Sequence, residues 1–227
     1  MVLHQLEIME EDNDIIVCCK PAGIPVQSAR AGQQDMESLL KNHRAARGEP
    51  PELHVVHRLD QPVAGVMVFA KNPVAAAGLA KQFREKTVDK VYHALVEGVP
   101  KPPEGRLTNY LLRDGKTNTS RVVSLDTPGA KQAVLRYRVL EQRAGIEVPG
   151  GSGESPVQSL VEVYLDTGRH HQIRVQLAHA GHPLVGDKKY NPACGQGYLP
   201  VQLCSVQLSF VHPQTGQKKE YKYPNVP

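Results

Sequence analysis

The carboxylate of Asp60 lies in residues 54–71, HVVHRLDQPVAGVMVFAK, where two apolar runs, Val55 with Val56 and Val66 to Ala70, bracket a short polar turn. The runs read as strands. Pro62 and Gly65 give the connection one fixed and one permissive set of backbone dihedrals, so Asp60 sits on a loop carried by a rigid scaffold. A carboxylate held this way can act as a nucleophile, or it can simply close an Asx turn on its own backbone. The loop alone leaves both readings open.

A second charge bears on that choice. Residues 166–186, DTGRHHQIRVQLAHAGHPLVG, read as a strand end, a glycine turn and a helix opening near His170. Ile173, Leu177 and Ala180 then recur at helical spacing and predict a core-facing stripe, with Arg174 half-buried at its border. An arginine there either lays its stem along apolar surface or pairs with a carboxylate, because an unpaired buried charge is costly. Asp60 and Arg174 are expected to pair. The histidines 170, 171, 179 and 182 invite a metal, but residues 171 and 179 would stand about 12 Å apart along a helix, too far to share one ion. No metal site is expected.

The elements that must position these groups follow from capping and alternation. A strand over 14–19 runs into a Pro–Gly turn at 20–23. A helix is expected over 35–47, with Asp35 as N-cap, Leu39 and Leu40 apolar, and Arg44 and Arg47 before Gly48. A second is expected over 72–86, capped by Asn72 with Pro73 at its first position; its Lys81, Arg84 and Lys86 suit a solvated face. Strands follow over 88–97, 106–112, 119–125, 131–140 and 156–165, the first placing Tyr92 on one face with Ala94 and Val96. Residues 145–155, rich in Gly, Ser and Pro, read as a hairpin loop. With few helices between strands, the sheet should be chiefly antiparallel.

HRLD at 57–60, KVY at 90–92 and GRHHQIRVQLAHAGHPLVGD at 168–187 together resemble the motifs of the RluA-type RNA pseudouridine synthases, in order and separation. KPAG at 20–23, GAKQAVLRYRV at 129–139 and LSFVHPQTG at 208–216 extend the resemblance over nearly the whole chain. The chain departs from the common pattern at Val63, Ala64 and Leu203–Cys204–Ser205, positions that bear on packing and substrate choice. The resemblance implies an α+β pseudouridine synthase fold, a large mixed, mainly antiparallel β-sheet flanked by helices with a catalytic cleft between two subdomains. It also implies a single catalytic domain over 1–227, without the small basic RNA-binding domain of the S4 type that some members carry.

The implied activity is isomerisation of a uridine in rRNA or tRNA, with base flipping and no cofactor. Asp60 would be the nucleophile, toward sugar or base. Tyr92 would pack on the uracil and assist proton removal, and Arg174 would orient Asp60. Arg58 would fill the space left by the flipped base or hold a phosphate. His57, Arg169, His171, Lys20 and Arg121 are the further RNA-contact candidates, with Arg113 and Lys116 nearby. The alternatives are a catalytically inactive RNA-binding domain and a glycoside hydrolase, which would need a second carboxylate about 5 to 9 Å from Asp60.

Composition agrees with this class. A net charge of +4 permits a polyanionic partner, while 0 Trp and 3 Phe argue against a broad base-stacking platform. No apolar run approaches the roughly 20 residues needed to cross a bilayer, and acidic Glu7, Glu10, Glu11, Asp12 and Asp14 do not fit a signal peptide. A cytoplasmic monomer is the expectation. Cys18, Cys19, Cys194 and Cys204 form no CxxC pair and are expected to be reduced.

Overall fold

The computed structural model describes residues 6–30, 32–144, 157–192, 194 and 199–223. The expected loop at 145–155 lies outside the described residues. The described residues divide into two compact units, one of 6–90 with 205–223, the other within Val91–Cys204.

In the first unit, β1 (Glu7–Glu11), β2 (Ile15–Lys20), β4 (Ala64–Ala70) and β10 (Leu203–Val211) lie in that order, with β3 (His54–Val55) on β4 and β11 (Lys218–Lys222) on β10. The pairs β1–β2, β2–β4, β3–β4 and β10–β11 are antiparallel. Every residue of β2 is buried, which explains why IIVCC reads as a continuous apolar run rather than an alternating one. Ile15 and Val17 join Val66, Val68 and Ala70 of β4 and Leu208 and Phe210 of β10 in one core. The helix α2 (Pro73–Glu85) covers that core with Ala75 and Leu79.

Both expected helices of this unit form. Asp35 caps α1 (Met36–Ala46) by accepting the Ser38 N–H, and Asn72 caps α2 by accepting the Ala75 N–H, with Pro73 in the first turn where its missing N–H costs nothing. Gly65 is required twice over. Its φ is +131°, and a Cβ there would fall 2.6 Å from Ser205 N, so β4 runs against the backbone of β10.

The second unit orders its strands β5 (Asp89–Glu97), β9 (Val157–Leu165), β8 (Lys131–Ala144), β6 (Glu104–Asp114) and β7 (Thr119–Val123), paired antiparallel throughout. The helix α3 (Gln172–His179) rests Val175 against Leu111 of β6 and Ala133 of β8. The α+β, mainly antiparallel class is therefore as expected.

The reading of α3 as an amphipathic helix needs correction. Ala180 is its exposed C-cap rather than part of a stripe, and residues Gln172 to Leu177 are all buried. Three of those six are polar, because α3 is latched by side-chain bonds as well as apolar contact. Gln172 donates to the Val134 carbonyl, its Oε1 accepts from Thr167 and the Arg169 N–H, and Gln176 donates to Asn109 Oδ1 at 2.7 Å. A buried amide is tolerated when it is bonded in this way.

Candidate active site

The Asp60 loop is tied down from one side by the turn at 20–23. Gln61 accepts the Gly23 N–H at 2.9 Å with its carbonyl and donates its side-chain amide to the Gly23 carbonyl, also at 2.9 Å. Lys20, at the end of β2, closes the joint: its Nζ donates to the carbonyls of Pro21, Ile24 and Gln61 at 2.9, 2.6 and 3.0 Å. The loop's own turn is closed by the Val63 N–H on the Asp60 main-chain carbonyl.

Lys20 is fully buried, which overturns its assignment to an RNA phosphate. Burial pushes its amino group down to about 7, against the charge of nearby Asp60, which raises it. Three carbonyl acceptors match the three donors of an ammonium, so the side chain serves the loop from within.

His57 is likewise a structural residue. Its Nε2 accepts the Val68 N–H at 3.1 Å and its ring stacks on Phe83 of α2 with centroids 4.6 Å apart. Burial pushes it down to about 3, with Lys90 adding to the effect. Arg58, next along, is exposed and reaches Gln27 Oε1 with Nη2 at 2.6 Å, a position open to a ligand.

In the second unit, Tyr92 is buried on β5 opposite Val163 of β9. Arg174 is not half-buried but 3% exposed. Its Nε and Nη2 form a two-pronged fork onto Asp187 Oδ2 and Oδ1, both at 2.7 Å, and Asp187 is itself fully buried. Asp187 was missed as a site residue because an aspartate after Gly186 in a loop reads as turn-forming. The available signal was an arginine on a helix face too apolar for an unpaired charge. Gly186 has φ +77° and a Cβ there would lie 2.8 Å from the Pro200 carbonyl carbon, so a larger residue would shift the backbone that delivers Asp187.

His171 also leaves the set of RNA contacts. It is 7% exposed, takes a left-handed conformation ahead of α3, stacks on His170 at 3.7 Å, and its Nδ1 lies 2.7 Å from the Tyr190 hydroxyl. Burial foremost, then the charges of Arg174, His170, Lys189 and Arg113, push it down to about 2. Arg169, whose Nε donates to the Gln132 carbonyl at 2.8 Å, and Arg121 are exposed. They remain able to meet a phosphate.

The two inward histidines make stability pH-dependent. Each binds a proton near 6.5 when unfolded and only near 3 or 2 when folded. Between those limits the unfolded chain holds more protons, so their contribution is complete above 6.5 and is lost as pH falls, by about 1.4 kcal/mol per pH unit for each. Urea unfolding at pH 7 and pH 5 should show the loss, and replacing both with Gln should flatten it. An unchanged slope would place these rings in solvent.

Residues 14–179 match the family described as RNA pseudouridylate synthase. The chain is 37% identical over 215 residues to "Uncharacterized RNA pseudouridine synthase YhcT" of Bacillus subtilis, covering 94% of this chain and 66% of that one. It is 34% identical over 232 residues to "Ribosomal large subunit pseudouridine synthase D" of Neisseria meningitidis, covering 96% and 58%. It thus spans about three fifths to two thirds of the length of these relatives. The solved structure "Human RNA Pseudouridylate Synthase Domain Containing 4" superposes with a TM-score of 0.74 at 26% identity, over 97% of this chain and 88% of that one. The motifs around Asp60 and Tyr92, and the Arg174 helix, fall within the matched region, and on this agreement of sequence and fold the chain belongs to the RNA pseudouridylate synthase family.

Proposed function

We propose that this protein isomerises a specific uridine of rRNA or tRNA to pseudouridine, as a cytoplasmic monomer without a cofactor. The uracil N1–C1′ bond breaks, the base turns, and C5 bonds to C1′ in its place. The C5 proton is released and N1, which carries none in uridine, takes one up, so atoms and charge balance with no external reactant. Asp60 supplies the nucleophile, Tyr92 packs on the uracil and takes part in proton removal, and Arg174 holds Asp60 in its reactive direction. The target base is flipped out of its helix, and Arg58 fills the vacated space or binds the flanking phosphate. Arg121 and Arg169 bind the RNA backbone, which positions the substrate without reading its sequence.

The observation that carries this reading is the rigid mounting of the Asp60 loop: Gln61 and Lys20 lace it to the 20–23 turn, an arrangement that a non-catalytic RNA-binding module does not need. Relatives named for the ribosomal large subunit favour rRNA as the substrate.

The test uses total RNA from cells lacking the protein, labelled by growth with [5-3H]uridine. The purified protein should release tritium and leave pseudouridine in the chain, with no free uracil. Free uracil would instead mark a hydrolase. RNA binding with no release would leave a binding module.

A further inference from the structure

Arg174 is held on two sides by one short turn. Asp187 forks onto its edge through Nε and Nη2. Three residues later, Tyr190 turns its ring face to the cation, with the guanidinium carbon 5.2 Å from the ring centroid. The turn is closed by the Asp187 carbonyl, which accepts the N–H groups of Tyr190 and Asn191 at 3.2 and 2.8 Å.

The tyrosine is anchored in turn. Its hydroxyl accepts the Ser120 N–H of β7 at 2.8 Å and lies 2.7 Å from His171 Nδ1. The hydroxyl and His171 Nδ1 share one hydrogen bond beside the one from Ser120. The Tyr190 ring also packs against the cluster of Leu111, Ala133 and Val175. Arg174 is therefore held by the Asp187 fork and by a ring that is tied to β7 and to the start of α3. A phenylalanine would fill the apolar space equally well. The hydroxyl adds two bonds that stop the ring from sliding beneath the cation.

We infer that Tyr190 is a positioning residue for Arg174: it holds the guanidinium against turning about the Asp187 fork, so that the three N–H donors outside the fork keep fixed directions. This rests on the reading of Arg174 as part of the reacting set. Of the five guanidinium donors the fork uses two, and rotation about the Arg–Asp axis would swing the other three. A planar cation on an aromatic face resists that rotation.

The experiment compares the full-length protein with Tyr190→Phe, Tyr190→Leu, Arg174→Lys and the Arg174→Lys, Tyr190→Leu pair, in single-turnover tritium release from the same labelled RNA at saturating enzyme. Tyr190→Leu should lose about 100-fold in rate, the scale of a misplacement of roughly 1 Å, and Tyr190→Phe about tenfold. RNA affinity should stay within about twofold for both. The pair should be no slower than Arg174→Lys alone by more than about threefold, since residues acting as a unit are non-additive. A folded Tyr190→Leu within about threefold of the unmodified protein overturns the inference, as does a pair whose losses multiply. Should Tyr190→Leu not fold, an undiminished rate in Tyr190→Phe overturns it. Full activity in Arg174→Lys would instead refute the role of Arg174 and the inference with it, whereas an inactive Arg174→Lys beside undisturbed Tyr190 variants refutes the positioning role alone.

Discussion

Asp60→Asn is expected to lower the single-turnover rate of pseudouridine formation by on the order of 1000-fold or more, the scale on which an enzyme loses its nucleophile. Asn matches Asp in size, and the turn is held by main-chain and neighbouring groups: the Val63 N–H on the Asp60 carbonyl, and Gln61 and Lys20 on the 20–23 turn. Thermal stability should therefore change little. RNA affinity should stay within about threefold, because phosphate contacts supply most of it. Rate, melting temperature and affinity together decide the matter. A variant that still turns over removes Asp60 from the chemistry, and one that loses all three has merely unfolded.

The second large effect is on stability. Arg174→Ala is expected to cost about 3 to 5 kcal/mol, because it strands Asp187, which is fully buried, without its counter-charge. Removing the carboxylate too should restore much of that loss, since a buried ion pair replaced by apolar groups is often close to neutral. Urea unfolding of Arg174→Ala, Asp187→Ala and the pair should give a coupling of about 2 kcal/mol or more. Additive costs would mean that the fork does not exist in solution. Arg174→Lys keeps the charge but loses the planar fork, so it should cost less in stability and still lose most of the rate. The same cycle run with Asp60→Ala in place of Asp187→Ala measures the expected Arg174–Asp60 pairing, for which about 0.5 kcal/mol is the threshold of coupling.

The Asp187 fork also changes what Arg174 supplies. Its charge is matched inside the core at 2.7 Å on two atoms, so in the role proposed for it Arg174 would work by directed hydrogen bonds more than by net positive charge.

Much of this protein is determined by its sequence alone. The caps Asp35 and Asn72, the Pro73 start of α2 and the turn residues around Asp60 are local signals, readable because capping and turn formation act over a few residues. The order of HRLD, KVY and the 168–187 motif likewise identified the family. The tertiary structure decided which charges face inward. Lys20 and His171 look like surface bases in a one-dimensional reading, and His57 sits in the same motif as the exposed Arg58. Only their long-range partners, the Gln61 carbonyl, the Tyr190 hydroxyl and the Val68 N–H, assign them to the interior. In α3 the stripe is broken because three buried polar residues bond to groups elsewhere in the fold, Gln172 to the Val134 carbonyl, Gln176 through its amide nitrogen to Asn109, and Arg174 to Asp187. Burial of a polar side chain depends on whether a distant partner meets its bonds, and that is settled only when strands and helices have come together.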